Sequence, residues 1–381
     1  MGRLFKIEIN QNRIFGLDLL RAAAIFFVLF EHGKYLLPKS IAVKYELFVM
    51  DGVSIFFVLS GFLIGDILLK TLGSKYLSTK SLIYFWVRRW FRTITNYLFV
   101  LVLLIVLNSC FTNHFSVWVI KKYFLFCQNL FYCHPGFFPD AWSLSIEEWF
   151  YLIIPFCLFL CILILKASVK SSVLFTAITM ILVVSLFRYL RFNHIGATSF
   201  SYWDLNYRKQ VVTRLDSIMY GLLGAYLQYY YKAFWLHYKS ILFFCGVMIL
   251  MISKMMFSKY HFNGTVYNCV FSFSVNSIAT LFLLPYLSTI HKATGLWFRI
   301  VSTISIISYS MYLLNLSVVQ YWIIKKIHWS GFVSNEIAAA YIQYFLYWIT
   351  TILLSILLYK YFELPTTKFR DSPIIKRWLK Q

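Results

Sequence analysis

Charge is scarce in this chain, and acidic charge is scarcer still. Only 13% of the 381 residues are Asp, Glu, Lys or Arg, and 14 acidic side chains stand against 36 basic ones. With 60% hydrophobic residues and a mean hydropathy of +0.70, there is too little polar surface to solvate a globular core, so a water-soluble protein is excluded. The seven cysteines are dispersed, with no C-x-x-C pair and no His/Cys spacing of a metal site, so no metal is expected. Only Cys127 and Cys133 share a loop expected outside the membrane, which leaves a disulfide between them open. Gly/Ser linkers, fixed-period repeats and low-complexity runs are all missing, which predicts a single domain over residues 1–381. No A-x-A cleavage pattern follows the first apolar helix, so that helix is expected to remain as a signal anchor.

What the chain has instead is apolar length. Ten stretches lie near or above spanning length, at roughly 15–37, 48–69, 94–112, 150–166, 171–188, 215–231, 239–257, 270–290, 301–324 and 337–361. The predicted fold is all-α, a polytopic transmembrane bundle of about ten spans. Lys and Arg weight one side: Arg3, Lys6 and Arg13, the cluster from Lys70 to Arg92, and the tail from Lys360 to Lys380. The positive-inside rule then puts both termini in the cytoplasm. The bias is modest, because the 188–214 loop falls outside yet holds Arg188, Arg191, Arg208, Lys209 and Arg214. The net charge of +22 is spread over loop ends beside membrane, which suits contact with anionic lipid and argues against a nucleic-acid partner.

Against this background, polar residues inside the spans carry the information. Arg21 and His32 share the first span, eleven positions apart. Eleven residues make about three turns, so both project from one helix face, roughly 16 Å apart along the axis. Asp18 joins that face three residues before Arg21. An ionisable group in hydrocarbon costs at least ~2.5–3.5 kcal/mol on insertion scales, so this face belongs against a polar, protein-lined cavity. Asp18 reads most simply as a buried partner of Arg21.

Two further blocks stand out. The second span, DGVSIFFVLSGFLIG, carries Gly52, Ser54, Ser60, Gly61 and Gly65, small residues that permit close helix approach. After it, YFWVRRWFRTITNYL holds Arg88, Arg89 and Arg92 beside Trp86 and Trp90. These arginines could be topology anchors, but Arg89 and Arg92 share a helical face, and guanidinium forks suit phosphate. The loop before the fourth span ends PDAWSLSIEEWFYLIIP. Ser145-x-x-Glu148 reads there as a capping box, which leaves adjacent Glu147, Trp142 and Ser143 unexplained at the rim where His32 emerges. A carboxylate beside an imidazole holds its tautomer, as a general base requires.

Taken in order, NRIFGLDLLRAAAIFFVLFEH, GVSIFFVLSGFLIG, RRWFRT and WSLSIEEWFYL resemble the bacterial acyltransferase type 3 family, integral-membrane enzymes that O-acylate carbohydrates. TRLDSIMYGLLGAYL, ISYSMYLLNLSVV and YKYFELPTTK look like that family's second half, so the resemblance covers nearly the whole chain. It implies that Arg21 and His32 are the family's essential pair, Arg89 and Arg92 its R-x-x-R, and Glu147 and Glu148 its acidic pair. It further implies an acyl group, acetyl by default, taken from cytoplasmic acyl-CoA and passed to a carbohydrate hydroxyl across the bacterial inner membrane. The chain resembles the stand-alone type without a fused hydrolase-like domain. Three positions depart from the family pattern: Thr95 stands where Pro is frequent, Ser54 where an acid is common, and Asn315 where His often occurs.

Together these readings predict His32 as general base, with Glu147 or Glu148 orienting it or the sugar, and Asp18 positioning Arg21. Arg89, Arg92 and Arg88 are expected to hold coenzyme A phosphates, and Trp142 and Ser143 the acceptor. An acyl-histidine intermediate stays open beside direct transfer. The alternative class is a transporter or flippase of a lipid-linked sugar, which inverted repeats with paired broken helices would favour; the sequence has none.

Overall fold

The computed structural model describes residues 7–9, 13–46, 48–73, 79–111, 116–257, 262–291 and 294–372. Arg3, Lys6, Lys75 and the tail beyond 372, used above to set orientation, lie outside the described residues.

Among the described residues all regular structure is helical. The ten apolar stretches become ten long helices: α1 Phe15–Gly33, α2 Gly52–Leu72, α3 Thr79–Phe111, α4 Ala141–Leu163, α5 Val169–Ile195, α6 Leu215–Tyr230, α7 Lys239–Met256, α8 Ser272–Leu287, α9 Gly295–Leu314 and α10 Glu336–Leu358. Eight of them, some with their extensions, are long and apolar enough to cross a membrane. The two that fall short are α1, which carries Asp18, Arg21 and Glu31, and α6, with 16 residues. Both are sheltered by protein. In α1, Ala24, Ile25 and Leu29 are fully buried, and most of α6 is buried too. By contrast, α7 turns Ile241, Phe244, Met248 and Met255 outward, the surface a lipid-facing helix should have.

Small residues set the central crossings. A Cβ on Gly61 would lie 2.0 Å from the Ile218 carbonyl oxygen, and one on Gly221 would lie 2.0 Å from that of Val58, so α2 and α6 touch backbone to backbone. Gly52 does the same for α2 on α1, its Cβ position falling 2.3 Å from Ala24 O. These contacts bear out the expectation for the small residues of the second span.

Three boundaries differ from the sequence reading, each with a local cause. α3 begins at Thr79 rather than near 94, so Arg88, Arg89 and Arg92 sit inside one continuous helix. α4 begins at Ala141 rather than near 150, so there is no capping box at Ser145. Ser145 instead donates to Ala141 O (3.2 Å) in mid-helix, and Glu148 accepts from Thr93 Oγ1 (2.6 Å) across the bundle. Third, α9 and α10 each pass into wider π turns, Asn315–Ile323 and Tyr359–Glu363, which redirect Asn315 and Glu363 relative to an α-helical register.

The cations of the 188–214 segment are not topology markers. Arg188 is fully buried, pairing with Asp216 (2.6 and 2.9 Å) and donating to Thr213 O (2.7 Å). Arg214, also fully buried, donates to Ser54 Oγ (2.8 Å). Arg191 binds Gln210 Oε1 (2.6 Å), while Arg208 and Lys209 both bind Asp204 (2.7 and 2.6 Å).

Candidate active site

The polar faces of the helices enclose two neighbouring cavities with a wall in common. The smaller, about 120 Å³, is lined by Arg21 of α1, Ser60 of α2, Arg89, Arg92 and Thr93 of α3, Ser143, Glu147 and Tyr151 of α4, and Glu363. The larger, about 500 Å³, is lined by His32, Asp51, Asp140, Trp142, Arg208, Lys209 and Tyr312. Val53 and Tyr312 line both.

In the smaller cavity one hydroxyl gathers three side chains. Tyr151 Oη donates to Glu147 Oε2 (2.8 Å), accepts from Arg89 Nη2 (2.8 Å) and lies 2.6 Å from Ser60 Oγ. The Arg89 guanidinium also stacks on the Tyr151 ring at 4.5 Å, which fixes its plane. Arg21 and Arg92 are differently placed. Among the described residues neither makes an ion pair with a carboxylate, so both guanidinium groups line the cavity with Glu147 and Glu363 nearby rather than in contact. Permanent positive charge enclosed in a cavity is a site for anions. Glu363, held by Ser310 Oγ (2.8 Å), and Glu148, held by Thr93, are carboxylates nearby.

His32 occupies the other cavity. Its Nδ1 lies 2.6 Å from Asn315 Oδ1. The orientation of Asn315 is set by its own amide nitrogen, which donates to Met311 O (3.0 Å) and Tyr312 O (2.7 Å). The oxygen therefore faces the imidazole, Nδ1 carries the proton, and Nε2 keeps its lone pair. Asp140 Oδ1 lies 3.7 Å from the same Nδ1, and Asp140 Oδ2 accepts from Ser317 Oγ (3.2 Å). Asp140 immediately precedes α4; burial pushes its carboxyl up to about 7, against the pull of the Ser317 hydroxyl and the Lys209 charge. Across the cavity, Arg208 lies over the Trp142 ring at 5.0 Å. Burial alone would raise the Asp204 carboxyl, but Arg208 and Lys209 overcome it and hold the group below the ordinary carboxylate range. A flat indole backed by a paired guanidinium is a surface on which a sugar ring can stack.

These features ask for a family. The sequence matches the family described as "Acyltransferase domain", the acyltransferase type 3 family, over residues 14–360. The chain belongs to that family. It is also 30% identical over 161 residues to the peptidoglycan O-acetyltransferase OatA of Listeria monocytogenes serovar 1/2a, a match covering 38% of this chain and 24% of that protein. The chain thus spans about a quarter of its curated relative. No solved structure matches.

Within this acyltransferase the residues singled out by sequence are sorted rather than pooled. Arg21, Arg89, Arg92, Glu147 and Ser143 line the smaller cavity, while His32 and Trp142 line the larger. Glu147 and Glu148 do not reach His32; the carboxylate beside it is Asp140, carried on the residue before α4, with Asn315 closer still. Asp18 does not pair with Arg21. It accepts from Arg13 Nε (2.8 Å) and Ser305 Oγ (2.7 Å) instead. Arg88 lines neither cavity, bonding Tyr84 Oη (2.9 Å) on the exposed side of α3. Cys127 and Cys133 are both free thiols.

Two of the departures from the family pattern acquire a geometry. Ser54 links Asp51 (2.6 Å) to Arg214 (2.8 Å), so the acid one turn earlier reaches the same cation through a hydroxyl. Asn315 Oδ1 stands 2.6 Å from Nδ1 of the imidazole. Asp140, Tyr151, Tyr312 and Glu363 were missed as site residues. Asp140 and Glu363 carried a signal, each an acid bordering an apolar span, of the kind that singled out Asp18.

Proposed function

We propose that this acyltransferase moves an acetyl group from acetyl-CoA to a hydroxyl of a cell-envelope carbohydrate, with His32 as general base. One observation carries the reading: a cavity lined by Arg21 and Arg92 and a cavity lined by His32, whose Nδ1 faces Asn315, lie side by side with Val53 and Tyr312 in their common wall. Cations at one end suit the phosphates of coenzyme A, with Arg92 and Arg21 as their contacts and Arg89 held ready by Tyr151. A base at the other end suits an alcohol.

In the reaction, His32 Nε2 takes the proton of the sugar hydroxyl as its oxygen attacks the thioester carbon. The new C–O bond forms, the carbon–sulfur bond breaks, and the proton passes from the imidazolium to the departing thiolate. Asn315 keeps the proton on Nδ1, and Asp140 favours the imidazolium while it exists. Base catalysis of this kind contributes ~10²–10⁴-fold. The peptidoglycan specificity in the relative's name supports a carbohydrate acceptor, and the Trp142–Arg208 face offers a place for it.

This reading places the protein in the bacterial inner membrane with both termini cytoplasmic, so that His32 lies towards the outer side and Arg92 towards the donor. Transfer of label from radiolabelled acetyl-CoA into envelope carbohydrate, using membranes with wild type or His32→Ala, tests it. Label with wild type and at least ~10²-fold less with the variant, at equal protein level, is expected. Absence of labelled carbohydrate with wild type overturns the proposed reaction, as it would for a flippase; equal labelling by both removes His32 as base.

A further inference from the structure

Attack on a thioester puts negative charge on the carbonyl oxygen, and a buried site must supply a donor there. The reading above leaves that donor unassigned, and the inference below rests on that reading. The acceptor hydroxyl must lie against His32 in one cavity, while the thioester arrives from the arginines in the other. On that reading the carbonyl carbon has to reach the wall that the two cavities share. Val53 and Tyr312 are the residues that line both, and of these only Tyr312 has a polar side chain.

The surroundings of that phenol suit the task. Tyr312 is buried on α9, three residues before Asn315, so the same stretch of helix carries the residue that orients the base. Its Oη lies 2.6 Å from Ser143 Oγ and 3.1 Å from the Asp140 carbonyl oxygen. Asp140 thus touches both partners, its carbonyl meeting Tyr312 and its carboxyl lying 3.7 Å from His32. The phenol ring is braced at its edge by Phe56, 6.4 Å away centroid to centroid. The two hydroxyls bond each other and share one further acceptor, the Asp140 carbonyl, so the Tyr312 O–H can be redirected to a substrate oxygen while the Ser143 O–H keeps the pair together.

We propose that Tyr312, with Ser143 hydrogen-bonded behind it, is the oxyanion donor: its O–H bonds the thioester carbonyl oxygen as the sugar oxygen attacks. The electron pair of the C=O bond moves onto that oxygen in the tetrahedral intermediate and returns as the thiolate leaves. Tyr312 remains protonated throughout, while His32 carries the transferred proton. The donor sits on the wall common to both cavities.

The test is Tyr312→Phe in purified full-length protein, assayed with acetyl-CoA and envelope glycan. An oxyanion donor is worth about 10²–10³ in kcat, so kcat should fall by that factor. The KM for acetyl-CoA should stay at the wild-type value, while the thermal midpoint should fall modestly because two buried hydrogen bonds are lost. A kcat within about threefold of wild type overturns the proposal. If the variant does not fold, fluorotyrosine at position 312 preserves the shape: kcat should then follow phenol acidity across the fluorinated series, and a flat series overturns it. Wild type that transfers no acetyl group would overturn the underlying reaction instead, which separates the two failures.

Discussion

Asn315 Oδ1 lies 2.6 Å from His32 Nδ1, and two backbone carbonyls of the same helix turn hold the amide so that only its oxygen can face the ring. An amide oxygen has no proton to give, so the imidazole must donate through Nδ1 and keep Nε2 basic. Tyr347 Oη also donates to that oxygen (3.2 Å), a second restraint on its position. Asn315→Leu, close in volume but without the acceptor, is expected to lower kcat by about 10²-fold, the lower end of what proton abstraction contributes. The KM for acetyl-CoA should not change, because the arginines that line the other cavity are untouched. Steady-state kinetics beside His32→Ala would check this, with Asn315→Asp restoring the acceptor and much of the rate.

Asp140 gives the site a pH dependence of predictable sign. Its carboxyl stands raised from 3.8 to about 7. As pH rises through that value the group becomes an anion 3.7 Å from His32 Nδ1, which favours the imidazolium and strengthens the base. The rate should therefore climb through about pH 7 in wild type, and Asp140→Asn should lose that rise while retaining activity below it. Stability runs the opposite way. Between 3.8 and about 7 the folded protein holds a proton that the unfolded chain has released, so stability falls as pH rises across that window. Thermal midpoints of the Asn variant should be flatter over the same range.

Much of this arrangement was legible in the residues. Long apolar runs gave ten helices because the cost of unpaired backbone in lipid leaves the chain no other solution. Arg21 and His32 stood out for the same reason, since lipid tolerates neither. What the sequence could not give was which acid meets the histidine. Glu147 and Glu148 lie only a few residues from Asp140, but α4 begins at Ala141, and two helical turns carry Glu147 down into the other cavity and Glu148 against Thr93. Likewise Asp18 lies one turn from Arg21, yet it is taken by Arg13 from the segment before α1 and by Ser305 of α9. Periodicity assigns residues to a face; only the packing of neighbouring helices decides which face meets which. The π turn at Asn315 adds a local shift that no heptad-like count anticipates.

The α2–α6 crossing makes a stability prediction with a built-in control. A methyl on Gly221 would sit 2.0 Å from Val58 O and 2.6 Å from Phe62 N, atoms of a helix backbone that cannot rotate away. Forcing the helices apart should cost about 1–3 kcal/mol and lower the thermal midpoint of Gly221→Ala in detergent. Gly331, in an exposed turn, has nothing within 4 Å of its Cβ position, so Gly331→Ala should melt with wild type.

The three neighbouring arginines of α3 should separate cleanly by kinetics. Arg92 faces the smaller cavity beside Arg21 with no ion-pair partner among the described residues, whereas Arg88 bonds Tyr84 on the outer side of the helix. If Arg92 meets a coenzyme A phosphate, removing it deletes a charge-assisted contact worth about 1.5–3 kcal/mol, or roughly 10–100-fold in affinity. Arg92→Ala should accordingly raise the KM for acetyl-CoA by that factor, with a smaller fall in kcat, and Arg92→Lys should recover only part because an ammonium cannot grip two phosphate oxygens at once. Arg88→Ala should leave KM within about twofold of wild type, since the energy of an exposed contact on the far side is not spent on the donor. Arg89 falls between these cases. Its guanidinium is already engaged with Tyr151, so Arg89→Ala should lower kcat along with affinity, by freeing the tyrosine that joins Ser60 to Glu147. A KM that responds equally to loss of Arg88 and Arg92 would show that surface charge, rather than the cavity, gathers the donor.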